Sequence, residues 1–241
     1  MSKKIAEGTS ALILDVKTGS GAFMSDPAKA AELARTMVQL GLDAGVNTRA
    51  LVTAMDVPLG LTAGNALEVR ESIEVLAGGG PSDVVELTIL LAREMIDAAG
   101  IVGKDPAVAL QDGSAMDHWK RMIRAQGGDP DAKLPTARQT HVITAAESGT
   151  MTKMDAMKIG VSAWRLGAGR SKQGENVQAG AGIEMHAKPG DYITKGAPLL
   201  TLHTDEPARF ERAIEILDGA IAIVENGKVE RLPLVLERIT G

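Results

Sequence analysis

The chain has 241 residues and a formal net charge of −5, from 26 basic and 31 acidic side chains, and it has no long basic run, which argues against nucleic acid as a partner. It has no cysteine, so disulfides, zinc–thiolate sites and cysteine nucleophiles are excluded. Because the amino terminus is too charged for a signal peptide and no apolar run has transmembrane length, we expect a cytoplasmic protein that does not engage a membrane.

The first predicted elements form a β-α-β unit. Residues Ala11–Lys17 are a continuous apolar run closed by charge, the pattern of a buried parallel strand. Pro27–Gly45 has apolar residues at helical spacing after Asp26, a suitable N-cap, and Thr48–Asp56 predicts a second strand. Open α/β sheets bind ligands at the carboxyl ends of their strands, so the glycine-rich segment 19–23 is the first candidate site.

Helices are predicted for the next part of the chain. They cover Gly64–Ala77, Val84–Ala99 with Ser82 or Asp83 as its cap, a short segment from Pro106, and Ser114–Gln126. The first of them ends in a triple glycine, 78–80. The turn residues of Gly127–Pro130 then predict a boundary that divides the chain into domains 1–128 and 129–241.

The second part has the pattern of short strands with few helices. Extended segments are predicted at Arg138–Ala145, Thr150–Met154, Gly182–Ala187, Asp191–Ile193 and Pro198–His203, and helices at Asp155–Leu166 and about Pro207–Leu217. The spacing G-D-x-x-x-x-G-x-P-L-L is typical of biotinyl- and lipoyl-type barrels. Asn226-Gly227 predicts a hairpin turn between residues 221–225 and the closing segment. We therefore expect an α/β fold, with a parallel or mixed sheet flanked by helices, plus a C-terminal α+β barrel-sandwich-like domain of four to six strands.

Three motifs carry a resemblance to a known family. They are S-K-K-x-A-E-G at Ser2–Gly8, D-V-K-x-G-S-G-A-F at Asp15–Phe23, and G-N-A-L-E-V-R-E at Gly64–Glu71. Together they resemble the thymidine phosphorylase and pyrimidine nucleoside phosphorylase family, with matching spacing through nearly all of the chain. The resemblance implies a pentosyltransferase that converts thymidine and phosphate reversibly to thymine and 2-deoxyribose 1-phosphate. Phosphate is then the co-substrate, no organic cofactor is needed, and full-length members are homodimers.

The same resemblance implies a second segment. Family members carry a K-x-S-x-G-G-x-x-D phosphate loop and a base-reading arginine ahead of the lysine pair, and the 241 residues contain no such loop. Residues 2–7 have helix-forming composition, end at Gly8 as a C′ residue, and have no N-cap before them. We expect that residues 1–8 are the tail of a helical domain, and that the chain is the C-terminal part of such an enzyme and inactive by itself. Whether the enzyme accepts thymidine alone or uridine as well is left open.

Lys3 and Phe23 are the substrate-binding candidates. By resemblance Lys3, and not Lys4, is catalytic and donates a hydrogen bond to a pyrimidine carbonyl. The leaving base gains negative charge as the glycosidic bond breaks, and a cationic donor stabilises that charge. Phe23 is one of two phenylalanines, and its ring can stack on a planar base. Without the resemblance, the two lysines would be a solvated surface and Phe23 a core residue.

Leu59, Thr62 and Glu71 are the metal-binding candidates. The resemblance implies a potassium-type ion held by the backbone carbonyls of Leu59 and Thr62 and by the Glu71 carboxylate. Oxygen ligands with one carboxylate suit a hard cation. Thr62 stands where relatives have alanine, which matters little if only its carbonyl binds. The alternative for Glu71 is a solvated helix residue.

Two further patterns have simpler interpretations. Residues 156–159 (A-M-K-I) are similar to the motif in which a lysine receives biotin, but Met157, Val161 and Trp164 have helical spacing, whereas a biotinylated lysine needs a hairpin tip. Residues 167–172 (G-A-G-R-S-K) could hold an anion through backbone donors, or form a surface turn. The four histidines have no metal-ligand spacing.

A competing class of function is a non-catalytic binding or assembly module built on the C-terminal barrel-like domain. What separates the two classes is whether the surface around Lys3 and Phe23 is a finished cleft or an exposed half-site.

Overall fold

The computed structural model describes residues 1–170, 172–230 and 232–241. Its helices are α1 (Ser2–Ala6), α2 (Pro27–Asp43), α3 (Asn65–Leu76), α4 (Ser82–Ala98), α5 (Pro106–Gln111), α6 (Ser114–Ala125), α7 (Ala156–Ala163) and α8 (Arg209–Ile216), with a π-helical turn at Trp164–Ala168. Its strands are β1 (Ala11–Thr18), β2 (Asn47–Ala54), β3 (Thr62–Gly64), β4 (Gln139–Thr144), β5 (Gly149–Met154), β6 (Gly182–Met185), β7 (Tyr192–Ile193), β8 (Pro198–Thr204), β9 (Ile221–Val224) and β10 (Val235–Ile239).

The first sheet has the strand order β1-β2-β10 and is mixed. β1 and β2 are parallel, with Ala11 opposite Asn47 and Thr18 opposite Ala54, so the predicted β-α-β unit is confirmed. β10 pairs with β2 in the antiparallel direction. The expected α/β class with a mixed sheet is therefore confirmed. Because β1 and β2 are parallel and in register, their carboxyl ends lie side by side, at residues 18 and 54.

Helix α2 packs on one face of this sheet through small residues. Asp26 caps the helix by accepting the Ala28 N–H at 2.8 Å, with Pro27 in the first turn. Ala30 and Ala34 are fully buried against the sheet and belong to the same core cluster as Leu14 and Val16 of β1. Short side chains allow a close approach of helix and strand, and this explains how a core with so few aromatic residues is filled.

Helix α4 is fastened to the first sheet by charged side chains. Glu94 of α4 accepts hydrogen bonds from Arg49 of β2 at 3.2 Å and from Arg238 of β10 at 2.5 and 2.9 Å. Arg49 also pairs with Asp97. The network joins α4, β2 and β10, three elements that are far apart in the sequence.

The second part of the fold has two antiparallel sheets around one core. Their strand orders are β3-β6-β8-β4 and β7-β5-β9. The largest side chains of the core are fully buried: Met151, Met154, Ile159, Leu166, Ile183, Leu200 and Leu202. The two sheets, with α7 and α8 packed against them, correspond to the expected α+β domain.

The pairing of the last strands corrects one prediction. Gly227 N–H donates to the Val224 carbonyl at 3.0 Å, so a turn does form at Asn226-Gly227. However, β9 pairs with β5 and β10 pairs with β2, so the predicted hairpin is wrong. The division of the chain near residue 128 remains a prediction, and β3 and β10 each pair with strands from the other side of it. No helix among the described residues combines the length and the apolar character that crossing a membrane requires.

Candidate functional site

The segment after β1 is bound to the carboxyl end of β2. Gly21 N–H donates to the Met55 carbonyl at 2.9 Å. Ser20 N–H donates to Asp56 Oδ1 at 2.9 Å, and the Ser20 hydroxyl donates to the Asp56 carbonyl at 3.2 Å. A parallel bridge between Thr18 and Met24 closes the segment. The glycine-rich loop expected at this edge of the sheet is therefore held by both backbone and side-chain hydrogen bonds.

Phe23 lies on this loop with its side chain in solvent. The residue is 99% exposed, so the interpretation of Phe23 as a core residue is wrong. Its neighbour Met24 packs against the core cluster of the first sheet, which fixes the backbone while the Phe23 ring points outward. An apolar ring held in water on an ordered loop is available to a planar ligand.

Lys3 is an exposed residue of α1, which has no buried residue. Its neighbour Lys4 lies 3.9 Å from Glu7, within the same helix. Met1, at the start of α1, packs against the same core cluster as Met24. The structure therefore brings the two segments that carry Lys3 and Phe23 onto one cluster, although it does not bring either side chain into a closed cleft.

A polar triad lies on the first sheet between β1 and β2. Lys17 Nζ donates to Asp15 Oδ2 at 2.5 Å and to Thr53 Oγ1 at 3.0 Å, and the Thr53 hydroxyl donates to Asp15 Oδ1 at 2.5 Å. Asp15 and Lys17 belong to the D-V-K-x-G-S-G-A-F motif. The Asp15 carboxylate therefore offsets the positive charge of Lys17.

Glu71 is buried, so its interpretation as a solvated helix residue is wrong. It is 8% exposed, and its carboxylate accepts hydrogen bonds from Leu61 N–H at 3.0 Å and from the Thr62 hydroxyl at 2.6 Å. Burial is the main cause that raises the pKa of Glu71, and these hydrogen bonds oppose it. Gly60 has a φ of +71°, and a Cβ on it would collide with the Glu71 carboxylate, so a glycine is required there.

The Thr62 carbonyl takes no part in the pairing of β3 with β6. The carbonyl of Leu61 accepts the Met185 N–H at 2.7 Å, in the antiparallel pairing of β3 with β6. Successive carbonyls of a strand point in opposite directions, so the Thr62 carbonyl is directed away from β6. Thr62 and Glu71 also line a cavity of about 310 Å³. These oxygen donors suit a hard cation such as potassium.

A lysine that the sequence analysis did not select lies beside this cluster. Lys188 Nζ donates to Asp83 at 3.0 Å and to the Pro58 carbonyl. Lys188 lies in the segment after β6, and these contacts connect that segment to the loop before β3 and to the start of α4. Its position just before the turn at residues 189–190 was visible in the sequence, but its partners are more than a hundred residues away. No cluster of three or more histidine, cysteine, aspartate or glutamate side chains forms a metal site within the described ranges.

The segments 156–159 and 167–172, which resemble a biotin-acceptor motif and an anion-binding loop, have ordinary structural roles. Lys158 lies in helix α7, where Asp155 accepts its N–H at 3.1 Å, so the predicted helix is confirmed and no hairpin tip presents this lysine. In the segment 167–172, the Arg170 carbonyl accepts the Trp164 indole N–H at 3.0 Å, and Ser171 lies outside the described residues. His203 pairs with Glu184 at 3.1 Å in the sheet.

Comparison with known proteins identifies relatives over the whole chain. Residues 1–117 match the family model of the glycosyl transferase family a/b domain, and residues 150–224 match that of the pyrimidine nucleoside phosphorylase C-terminal domain. The chain is 56% identical over 239 residues to a thymidine phosphorylase of Mycobacterium tuberculosis. The alignment covers 99% of this chain and 56% of that protein.

Two further relatives are pyrimidine-nucleoside phosphorylases. The one from Bacillus subtilis is 39% identical over 243 residues, covering 96% of this chain and 56% of that protein. The one from Staphylococcus aureus is 38% identical over 237 residues, covering 94% of this chain and 54% of that protein. The chain thus spans little more than half the length of these relatives.

Proposed function

The chain belongs to the thymidine and pyrimidine nucleoside phosphorylase family, and on that basis we propose that it forms the base-binding side of a thymidine phosphorylase. The reaction takes thymidine and phosphate to thymine and 2-deoxyribose 1-phosphate. The chain spans about half of its relatives' length, so this activity is proposed for the enzyme that contains these residues. Inorganic phosphate is the co-substrate implied by the relatives.

The observation that carries the proposal is the exposure of the Phe23 ring. Its ring is 99% exposed at the carboxyl edge of a parallel strand pair, on a loop held by hydrogen bonds to Met55 and Asp56. In open α/β sheets ligands bind at this edge. The Lys3 segment packs on the same core cluster, through Met1. This arrangement supports a planar base that stacks on Phe23 within reach of a cationic donor.

Lys3 would act on the leaving group. Phosphate attacks C1′ of the sugar, the bond from C1′ to the base nitrogen breaks, and the base departs with the bonding electrons. A lysine ammonium that donates a hydrogen bond to a carbonyl of the pyrimidine ring stabilises this developing charge. No side-chain nucleophile is needed, because orientation of the two substrates and charge stabilisation lower the barrier.

We also propose that Glu71 and the carbonyls of Leu59 and Thr62 hold a potassium-type ion. The buried carboxylate, the outward Thr62 carbonyl and the adjacent cavity support it. Such an ion would supply a fixed positive charge that draws the loop before β3 toward α3. The homodimer of the family and a cytoplasmic location stay with this proposal as expectations.

A chimeric enzyme tests the proposed function. This chain replaces the aligned part of the M. tuberculosis relative, and release of thymine from thymidine is followed in phosphate buffer. We expect phosphorolysis, and we expect Phe23→Ala to raise the KM for thymidine about tenfold, since stacking on an aromatic ring contributes roughly 1–3 kcal/mol per base. A folded chimera without activity would favour the alternative, a binding or assembly module.

A further inference from the structure

The direction of Phe23 is set by the backbone of its loop. At 99% exposure its side chain has almost no contact with the rest of the chain. The loop in turn is held to the end of β2 at three points, and two of them belong to Asp56: its Oδ1 accepts the Ser20 N–H at 2.9 Å and its carbonyl accepts the Ser20 hydroxyl at 3.2 Å. The third is the Gly21 N–H, which donates to the Met55 carbonyl at 2.9 Å. Asp56 therefore supplies the only side-chain acceptor among these three contacts.

The loop also lies against Asp56 and α7 without room for a further atom. Gly19 has a φ of +120°, and a Cβ on it would lie 2.7 Å from Asp56 Oδ2. A Cβ on Gly21 would lie 2.6 Å from the Ala156 Cβ, at the start of α7. Glycine at these two positions lets the chain pass between the aspartate and the helix. Asp56 on one side and Ala156 on the other thus form a clamp around the loop.

Asp56 connects this clamp to the second part of the fold. Its carbonyl accepts the Ala156 N–H at 3.0 Å, in addition to the Ser20 hydroxyl. Any shift of Asp56 moves Ser20 and Ala156 together. The loop that carries Phe23 is therefore tied through one residue to both β2 and α7.

We infer that Asp56 is a positioning residue, which sets the Phe23 loop in the orientation that a pyrimidine base requires. The inference rests on the proposed function, because it assigns Asp56 a role in base binding. Asp56 does not touch the base in this scheme and takes no part in the chemistry. Its loss should weaken nucleoside binding and leave phosphate binding and the chemical step almost unaffected, since stacking on Phe23 contributes similarly to ground state and transition state.

The kinetic arm uses the chimeric enzyme. Asp56→Ala should raise the KM for thymidine about tenfold, the effect of losing one hydrogen bond that holds the loop, with kcat and the KM for phosphate within about twofold. Asp56→Asn retains an acceptor at Oδ1 and should recover the KM to within about threefold of the parent. Equal losses for Asp56→Ala and Asp56→Asn, or a loss in kcat and phosphate KM as large as that for thymidine, would overturn the inference.

A steric variant tests the same clamp without altering Asp56. Gly21→Ala places a methyl group against Ala156 and should raise the KM for thymidine as much as Asp56→Ala does. Gly160→Ala is the matched control, because a Cβ at that position in α7 meets nothing within 4 Å, and it should leave the kinetics unchanged. A Gly21→Ala enzyme that behaves like Gly160→Ala would contradict the clamp.

Hydrogen exchange on the chimeric enzyme separates this inference from the proposed function. Asp56→Ala should speed exchange of the Ser20 amide at least tenfold while the β1 amides keep their protection, and Asp56→Asn should not. If Phe23→Ala leaves the KM for thymidine unchanged but Ser20 exchange responds to Asp56→Ala, the clamp exists and the proposed base site is wrong. If Phe23→Ala raises the KM and Asp56→Ala changes neither KM nor exchange, the proposed function stands and the inference fails.

Discussion

Replacement of Glu94 by glutamine should destabilise the fold by about 2 kcal/mol. Its carboxylate accepts three hydrogen bonds from Arg238 and Arg49, and its side chain is 16% exposed. A hydrogen bond to a charged group contributes about 1.5–3 kcal/mol, whereas an exposed ion pair contributes at most about 1 kcal/mol. Half of the Arg238 side chain is in solvent and Arg49 keeps Asp97 as a partner, so the loss lies near the lower end of the first range.

Thermal unfolding of the chimeric enzyme, followed by circular dichroism, measures this loss. A domain of this size loses about 2–4 °C in Tm per kcal/mol, so Glu94→Gln should lower the Tm by about 4–8 °C. Glu237→Gln is the matched control on β10, because Glu237 pairs with Arg35 and the side chains of Arg35 and Glu237 are 58% and 40% exposed. The control should lower the Tm by less than about 2 °C. Equal effects of the two substitutions would refute the reasoning.

The pH dependence of this difference provides a second check. The hydrogen bonds from Arg238 are the main cause that lowers the pKa of Glu94 below its ordinary value of 4.5. A carboxyl group with a lowered folded-state pKa stabilises the fold fully above its unfolded pKa and loses that contribution as the pH falls through the folded value. The Tm difference between parent and Glu94→Gln should therefore be constant from pH 7 to about pH 5 and shrink below it. A difference that grows on acidification would contradict the assignment.

Three further results are expected. In the chimera, Lys3→Ala should lower kcat/KM about a hundredfold, because it removes roughly 3 kcal/mol of transition-state stabilisation. Lys4→Ala should lower kcat/KM by less than threefold, and equal losses for the two variants would mean that the catalytic role is assigned to the wrong lysine. In the same chimera, potassium chloride in place of sodium chloride should raise the Tm of the parent but not of the Glu71→Gln variant, and equal responses would rule out the proposed ion. The 241-residue chain alone should release no thymine from thymidine above background, and static light scattering should show irregular self-association, driven by exposed apolar residues such as Val102, at 89% exposure; a monodisperse monomer would contradict this.

Local patterns in the sequence were sufficient to predict the strands and the helix around Phe23. The apolar run of β1, the capped helix α2 and the strand β2 each depend on neighbours in the sequence, and their order predicts parallel pairing and a site at the carboxyl edge. The exposure of Phe23 follows from tertiary packing, which no local pattern contains.

Contacts between distant segments could not be predicted. Lys188 contacts Asp83 and the Pro58 carbonyl, which are more than a hundred residues away in the sequence. Burial of Glu71 likewise depends on the loop at Gly60 folding over its carboxylate. The hairpin predicted at Asn226-Gly227 failed for the same reason, because a turn signal does not say which strands its two arms will join.

The pairing of β10 with β2 has a consequence for synthesis on the ribosome. Ile239 lies opposite Ala50, so one edge of β2 stays open until a strand that is far later in the sequence has left the exit tunnel. Contacts between such distant residues form late because closing a long loop loses chain entropy. During that interval β2 offers unpaired backbone groups to neighbouring nascent chains. Slow translation should therefore prolong the period in which this protein is most prone to misassembly, and holdase chaperones that cover the β2 edge should improve its yield.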